Sequence, residues 1–259
     1  MAQDAIDSVE EIIKISDPGE VGRDEHTILD RIVVNVSNVI AWGLPLLMTV
    51  IVAQVILRGT GNNQAWMDDL QWWIYGFVLL SAFGYSIVTD SHVRVDVLHQ
   101  HFSSEKKARI EAMAFGWMLL PFIAMMVDIM SHYAFASIEA GEGSDSPNGL
   151  HHLYLLKSAM PPLFVLAGLA AWAAFLRNLK RFGEDTWARR LIWAFPAFVF
   201  IIWRVIHYVA YWFIYLTNSE INPRRITREP IFDWLLYGAF AFVVVLLVLA
   251  LLKRRGGNA

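Results

Sequence analysis

Residues 32–57 read IVVNVSNVIAWGLPLLMTVIVAQVIL, a run without a single Asp, Glu, Lys or Arg. A helix needs about 20 consecutive apolar residues to cross the hydrocarbon core of a bilayer. This run is long enough, and it is not alone. Residues 70–89, 158–176 and 234–252 are equally free of formal charge. Residues 112–138 and 191–216 carry one charge each, Asp128 and Arg204. Strands of a membrane barrel would be shorter and would alternate in polarity. In lipid a helix satisfies its own backbone polar groups, so the pattern predicts an all-α, polytopic helical membrane protein with about six transmembrane helices. Composition agrees: 56% of the 259 residues are hydrophobic and 17% are charged, against about 25% charged in a soluble domain.

The basic residues predict an orientation. If connections alternate sides, 15 of the 21 Lys and Arg residues fall on one side of the membrane, among them Arg94, Lys106, Lys107, Arg109, Arg189 and Arg190. Arg58, Lys157, Arg224, Arg225 and Arg228 fall on the other, and Arg204 lies inside a span. Cytoplasmic loops carry the excess of positive charge, so both termini are expected in the cytoplasm. The first 31 residues are polar and acidic, unlike a secretory signal, so the first span is expected to stay uncleaved. Within this leader, Ile6, Val9 and Ile13 fall at helical spacing with Asp4, Asp7, Glu10 and Glu11 mostly elsewhere on the wheel. That predicts a short amphipathic helix suited to docking on protein, or else a solvated tail.

Several chemistries are excluded. The chain has no cysteine, which removes disulfides, thiolate metal sites and cysteine nucleophiles. It has no glycine-rich phosphate loop, no nucleophile elbow and no basic face for nucleic acid. Nothing argues for an enzyme or a cofactor. The pairs His99/His101 and His151/His152 resemble metal ligands only weakly, since no carboxylate or cysteine nearby completes a shell.

The polar residues near spans are the candidates. Trp66, Trp72, Trp73 and Tyr75 open the second span as an interfacial aromatic belt. Asp128 and Arg204 are intramembrane charges, which cost at least ~2.5–3.5 kcal/mol unless partnered. They read as a pair with each other, with His207 or with a partner subunit; a proton or ion relay is the other reading. His132 and His207 could face each other as axial ligands of a b-type haem, the alternative of a haem-anchoring redox subunit. Residues 92–97, HVRVDV, alternate His92, Arg94 and Asp96 with valines. They read as a polar clasp at the cytoplasmic rim, holding a helix end or a partner, or as an ordinary basic loop. Ser103 or Ser104 can cap the next helix, with Glu105 and Arg109 paired four apart.

Taken together these residues resemble a family. TDSHVRVDVL at 89–98, following a tryptophan-rich second span, is similar to the signature of the small membrane subunit of tripartite ATP-independent periplasmic (TRAP) transporters, the DctQ-like family. DDLQWW places Asp68 and Asp69 where that family has an acidic pair, and GEGSDSPNGL followed by LYLLKSAMPP resembles its acidic loop and Lys157-bearing fourth span. The resemblance covers roughly residues 30–180. It implies a four-helix membrane domain over 31–180 behind a leader at 1–30, in the bacterial inner membrane. It also implies partners: a large DctM-like permease subunit, a periplasmic substrate-binding protein and membrane lipid. The implied role is that of a scaffold for sodium-coupled uptake of organic acids. His92, Arg94 and Asp96 would then contact the large subunit, and Asp68, Asp69 and Lys157 would lie near the outer surface, where the binding protein docks. The usual small subunit ends after four spans. Here RNLKRFGEDTWARR (177–190) leads into two more, so 181–259 is a departure whose purpose the resemblance does not supply.

Overall fold

The structure is a computed structural model describing residues 25–91, 101–218 and 221–256. The amphipathic leader and the whole of HVRVDV, with His92, Arg94 and Asp96, lie outside the described residues. Among those described there are helices and no strand. Six helical segments are long and apolar enough to cross a membrane: Ile28–Gly59, Ala65–Val88, Ser104–Ala140, Leu153–Arg181, Phe195–Thr217 and Ile231–Lys253. These are the six spans read from the apolar blocks.

The first span is helix α1 (Ile28–Ala41) followed by α2 (Gly43–Gly59). The α-helix is interrupted at Trp42 within this one span. Pro45 has no N–H to offer the Ala41 carbonyl, and its ring crowds that carbonyl. The α-helical ladder is therefore broken at Trp42, which keeps near-helical dihedrals (φ −62°, ψ −14°) and donates its amide to the Val39 carbonyl at 3.3 Å. Thr27 starts α1 with a capping box: Asp30 accepts from the Thr27 amide at 2.8 Å, and Thr27 Oγ1 accepts from the Asp30 amide. The second span, α3 (Ala65–Val88), ends at Thr89. There Asp90 takes φ +54° and the Ser91 amide reaches back to the Ser86 carbonyl at 3.2 Å. An Asp tolerates that left-handed position better than most residues, so the helix stops at Val88, three residues before HVRVDV.

The third span begins with α4 (Ser104–Met113), capped by Ser103 as expected. It passes through a π-helical turn at Ala114–Leu119 and continues as α5 (Leu120–Ala140). Glu105 and Arg109 pair at 2.5 Å. Pro121 cannot donate to the Trp117 carbonyl, which removes one bond from the α-helical ladder at the end of the π turn. The fourth span, α6 (Leu153–Arg181), absorbs Pro161 and Pro162 in its interior. The remaining helices are α7 (Trp187–Trp193), α8 (Phe195–Thr217), α9 (Pro223–Ile226) and α10 (Ile231–Gly256).

The chain divides into two compact units. In the first, comprising residues up to 101 together with 125–174, α1 and α2 pack on α3. Small residues let the backbones approach, as is usual between membrane helices. Ser81 donates to Ser37 Oγ at 3.2 Å, and Ser37 to the Ser81 carbonyl at 3.4 Å, both fully enclosed. A Cβ on Gly84 would stand 3.4 Å from Ala167 Cα. In the second unit, residues 102–124 and 175 onward, α10 packs on α8 and α7 around Phe175, Leu179, Ala239 and Val243. The division runs through the third and fourth spans themselves, at 124/125 and 174/175.

Candidate functional site

The most highly organised polar region is in the first unit, where the turn after α2 meets the loop between α5 and α6. Glycine shapes that loop. Gly141 sits at φ +59° and closes α5 with two bonds, from its own amide to the Ile138 carbonyl at 3.0 Å and from the Glu142 amide to the Ser137 carbonyl at 3.1 Å. This left-handed cap turns Glu142 back over its own helix. There it accepts from Ser137 Oγ at 2.6 Å and from Lys157 Nζ at 2.5 Å. Lys157 also lies 4.1 Å over the Tyr133 ring and is only 8% exposed. Hydrogen bonding by the Lys157 ammonium, then by the Ser137 hydroxyl, holds the Glu142 carboxyl below its ordinary range.

The two aspartates of α3 face different neighbours. Asp68 Oδ1 accepts from Gln54 Nε2 at 2.6 Å and stands 3.5 Å from Arg58. Gln54, buried in α2, in turn accepts from Gln71. Asp69 Oδ2 accepts the Leu150 amide at 2.9 Å, across 81 positions of sequence. Beside it Gly149 has no room for a side chain, since a Cβ would collide with Asp69 Oδ2 and with Ser144, whose Cβ lies 2.6 Å away. The loop closes on itself through the Ser144 amide to the Leu150 carbonyl at 3.0 Å. One face of the resulting ledge is a shallow cleft lined by Gln64, Trp66, Asn148 and His151 among others. Gln64 is held in place by Trp66 Nε1 at 3.0 Å and by Asn62 at 2.7 Å.

Sequence reasoning placed Asp68, Asp69 and Lys157 at one end of the protein, and the structure brings them to one loop system. Lys157 sits buried against Glu142 instead of offering an exposed charge. Glu142 was read only as part of an acidic loop; its glycine neighbours were the available sign that the chain doubles back there. Asp128, half-buried, and His132, exposed, belong to the first unit. Arg204 and His207 belong to the second. Arg204 donates to Tyr208 Oη at 3.0 Å, and its guanidinium lies 4.8 Å over that ring and 5.4 Å over Trp203. His207 meets Phe232 edge-on at 4.8 Å. An imidazole inside an aromatic cluster is a packing residue, and the haem-anchoring alternative finds no support.

A second polar constellation, which the sequence reading passed over, joins α6 to α7 in the second unit. Asp185 accepts from Arg190 Nε at 2.7 Å and Nη2 at 2.6 Å, a bidentate pair. That pairing, chiefly, depresses the Asp185 carboxyl and raises the Arg190 guanidinium. Thr186 caps α7, and Trp117 donates its indole N–H to the Ile192 carbonyl at 3.3 Å. At the adjacent Gly116 a Cβ would clash with the Trp193 carbonyl group, whose carbon would lie at 2.8 Å.

Among the described residues no group of three or more His, Cys, Asp or Glu side chains could hold a metal ion. The polar side chains of the first unit's loops bind one another and the backbone, and the helices are of membrane-spanning length. Fold and site together define a multi-pass membrane protein organised to hold helices and loops in place. The sequence matches, over residues 47–181, the family described as tripartite ATP-independent periplasmic transporters, DctQ component, and the chain belongs to that family. It is thus a small permease subunit of a TRAP transporter, a multi-pass protein of the inner membrane and not an enzyme. No curated protein and no solved structure shows significant similarity to the chain. The matched region ends at Arg181, so the last two spans lie beyond it.

Proposed function

We propose that this subunit scaffolds a large DctM-like permease subunit during sodium-coupled uptake of organic acids delivered by a periplasmic binding protein. The observation that carries the reading is the intramolecular use of the loop-end charges. Asp68, Asp69, Glu142 and Lys157 are bonded to their own chain, as suits a rigid support. The basic-residue distribution favours both termini in the cytoplasm, which puts the Asp69–Leu150 ledge on the periplasmic side, where a binding protein docks. His92, Arg94 and Asp96 form the contact with the large subunit at the opposite rim, and Asp128 and Arg204 satisfy charges within the assembly.

The test is a mild-detergent pull-down of the full chain from its native membrane. A large polytopic permease co-purifying in fixed ratio is the expected result, and its absence would overturn the scaffold. Arg94→Ala is expected to lower that yield, whereas an unchanged yield would sink the rim contact alone. Uptake by vesicles holding both membrane subunits is expected to require the binding protein and an inward sodium gradient.

A further inference from the structure

Phe182 stands at the centre of a cationic cluster in the second unit. The guanidinium carbons of Arg109 and Arg189 lie 5.7 and 4.6 Å from its ring centroid, and Trp193 meets it edge-on at 5.0 Å. Close by in sequence, Lys106 covers Phe102 at 3.7 Å and Arg190 lies over Trp187 at 4.8 Å. Aromatic faces attract cations, but two guanidiniums on one ring also repel each other. Arg189 Nη1 also donates to the Glu184 carbonyl oxygen at 2.7 Å, and the acids nearby are outnumbered. Glu105 pairs with Arg109 where both side chains are more than half exposed, and such pairs are weak. Asp185 is committed to Arg190. Over residues 105–111 and 177–190, eight basic side chains stand against four acidic ones.

The surroundings decide what kind of anion suits the cluster. It lies where the apolar part of α6 gives out, next to the short helix α7. That helix buries Ala188 and Leu191 but leaves Trp187 63% and Ile192 44% exposed. Exposed tryptophan beside arginine marks the depth of lipid headgroups. A fitting occupant presents a phosphate to the arginines and an acyl chain to Trp187 and Ile192 together. A soluble anion would leave that apolar surface bare.

We propose that Arg109, Arg189, Phe182 and Trp187 form a binding site for the headgroup of an anionic phospholipid, anchoring the α6–α7 connection to one leaflet. Basic pockets at the ends of membrane helices bind such headgroups, each Lys or Arg strengthening the attraction appreciably.

The test titrates delipidated full chain in mild detergent with phosphatidylglycerol or phosphatidylcholine, and counts bound lipid by native mass spectrometry. Phosphatidylglycerol is expected to bind at least about tenfold more tightly, and Arg109→Gln with Arg189→Gln to weaken it by about 25-fold, about fivefold for each charge. Arg109→Lys with Arg189→Lys should retain most of the preference, and Arg228→Gln should leave it unchanged. Equal binding of the two lipids, or undiminished phosphatidylglycerol binding in the double Gln variant, would overturn the site. If inorganic phosphate competes as well as phosphatidylglycerol binds, the site takes free anions and the lipid assignment fails. Should the double Gln variant not fold, Arg189→Gln alone decides: an unchanged preference overturns the proposal, and a loss of about fivefold upholds it.

Discussion

Lys157 is a buried ammonium whose carboxylate partner is half in water. That asymmetry gives its two removals different costs. Glu142→Gln leaves the ammonium enclosed without its anion, whereas changing Lys157→Met as well removes the charge that needed one. Glu142→Gln is therefore expected to lower the melting temperature of the purified chain, and adding Lys157→Met to restore part of the loss. A double variant no better than the single would refute this account. Acid should act on the same bond. The Glu142 and Asp185 carboxyls are both depressed in the folded chain, so each contributes stability that is complete above its ordinary pKa, 4.5 and 3.8. That stability is lost as pH falls through the lower folded values. Melting measured against pH should show no loss from these groups above about 5, then a decline below 4.5 that is smaller in Glu142→Gln. The partners themselves were not legible from sequence. Asp69 finds the Leu150 amide 81 residues away, and Glu142 reaches Lys157 only because Gly141 adopts a left-handed turn.

Helices were far more legible than their interruptions. An apolar run of about 20 residues with at most one charge predicts a span whatever it packs against, and all six such runs lie in helices of membrane-spanning length. Breaks depend on single residues and on neighbours. Pro45 advertises the break at Trp42, but Pro161 and Pro162 look equally disruptive and α6 continues through them. The π turn at Ala114–Leu119 contains Gly116, whose tight approach to Trp193 no local pattern reveals. Helix ends are clearer, because caps are local chemistry: Ser103 was readable as a cap, and Thr27-x-x-Asp30 has the same logic. Thr27→Ala should cost about 1 kcal/mol and speed amide exchange in the first turn of α1. Exchange unchanged at residues 28–31 would show that packing alone holds that end.

The family region and the compact units do not coincide. The match closes at Arg181, yet the second unit takes residues 102–124 and 175–181 from within it. A chain cut after Arg181 keeps every matched residue but loses Trp193, against which Gly116 packs, and helix α8, which contacts the π turn. It is expected to express at a lower level and melt earlier than the full chain. A truncated chain with undiminished stability would mean that the last two spans are an independent addition. Sequence reading saw that these spans depart from the usual plan; what it missed was how much of the third and fourth spans they are built with, because that depends on contacts and not on apolar length.

Gly116 has a practical corollary. A Cβ at that position would strike the Trp193 carbonyl group, so the seat for the C-terminal extension is a missing side chain inside the family's own third helix. Fusing residues 182–259 onto a four-span relative would therefore require, besides a compatible junction, a glycine at the matching place on its third helix; with alanine there, the graft could attach to the chain yet have nowhere to dock.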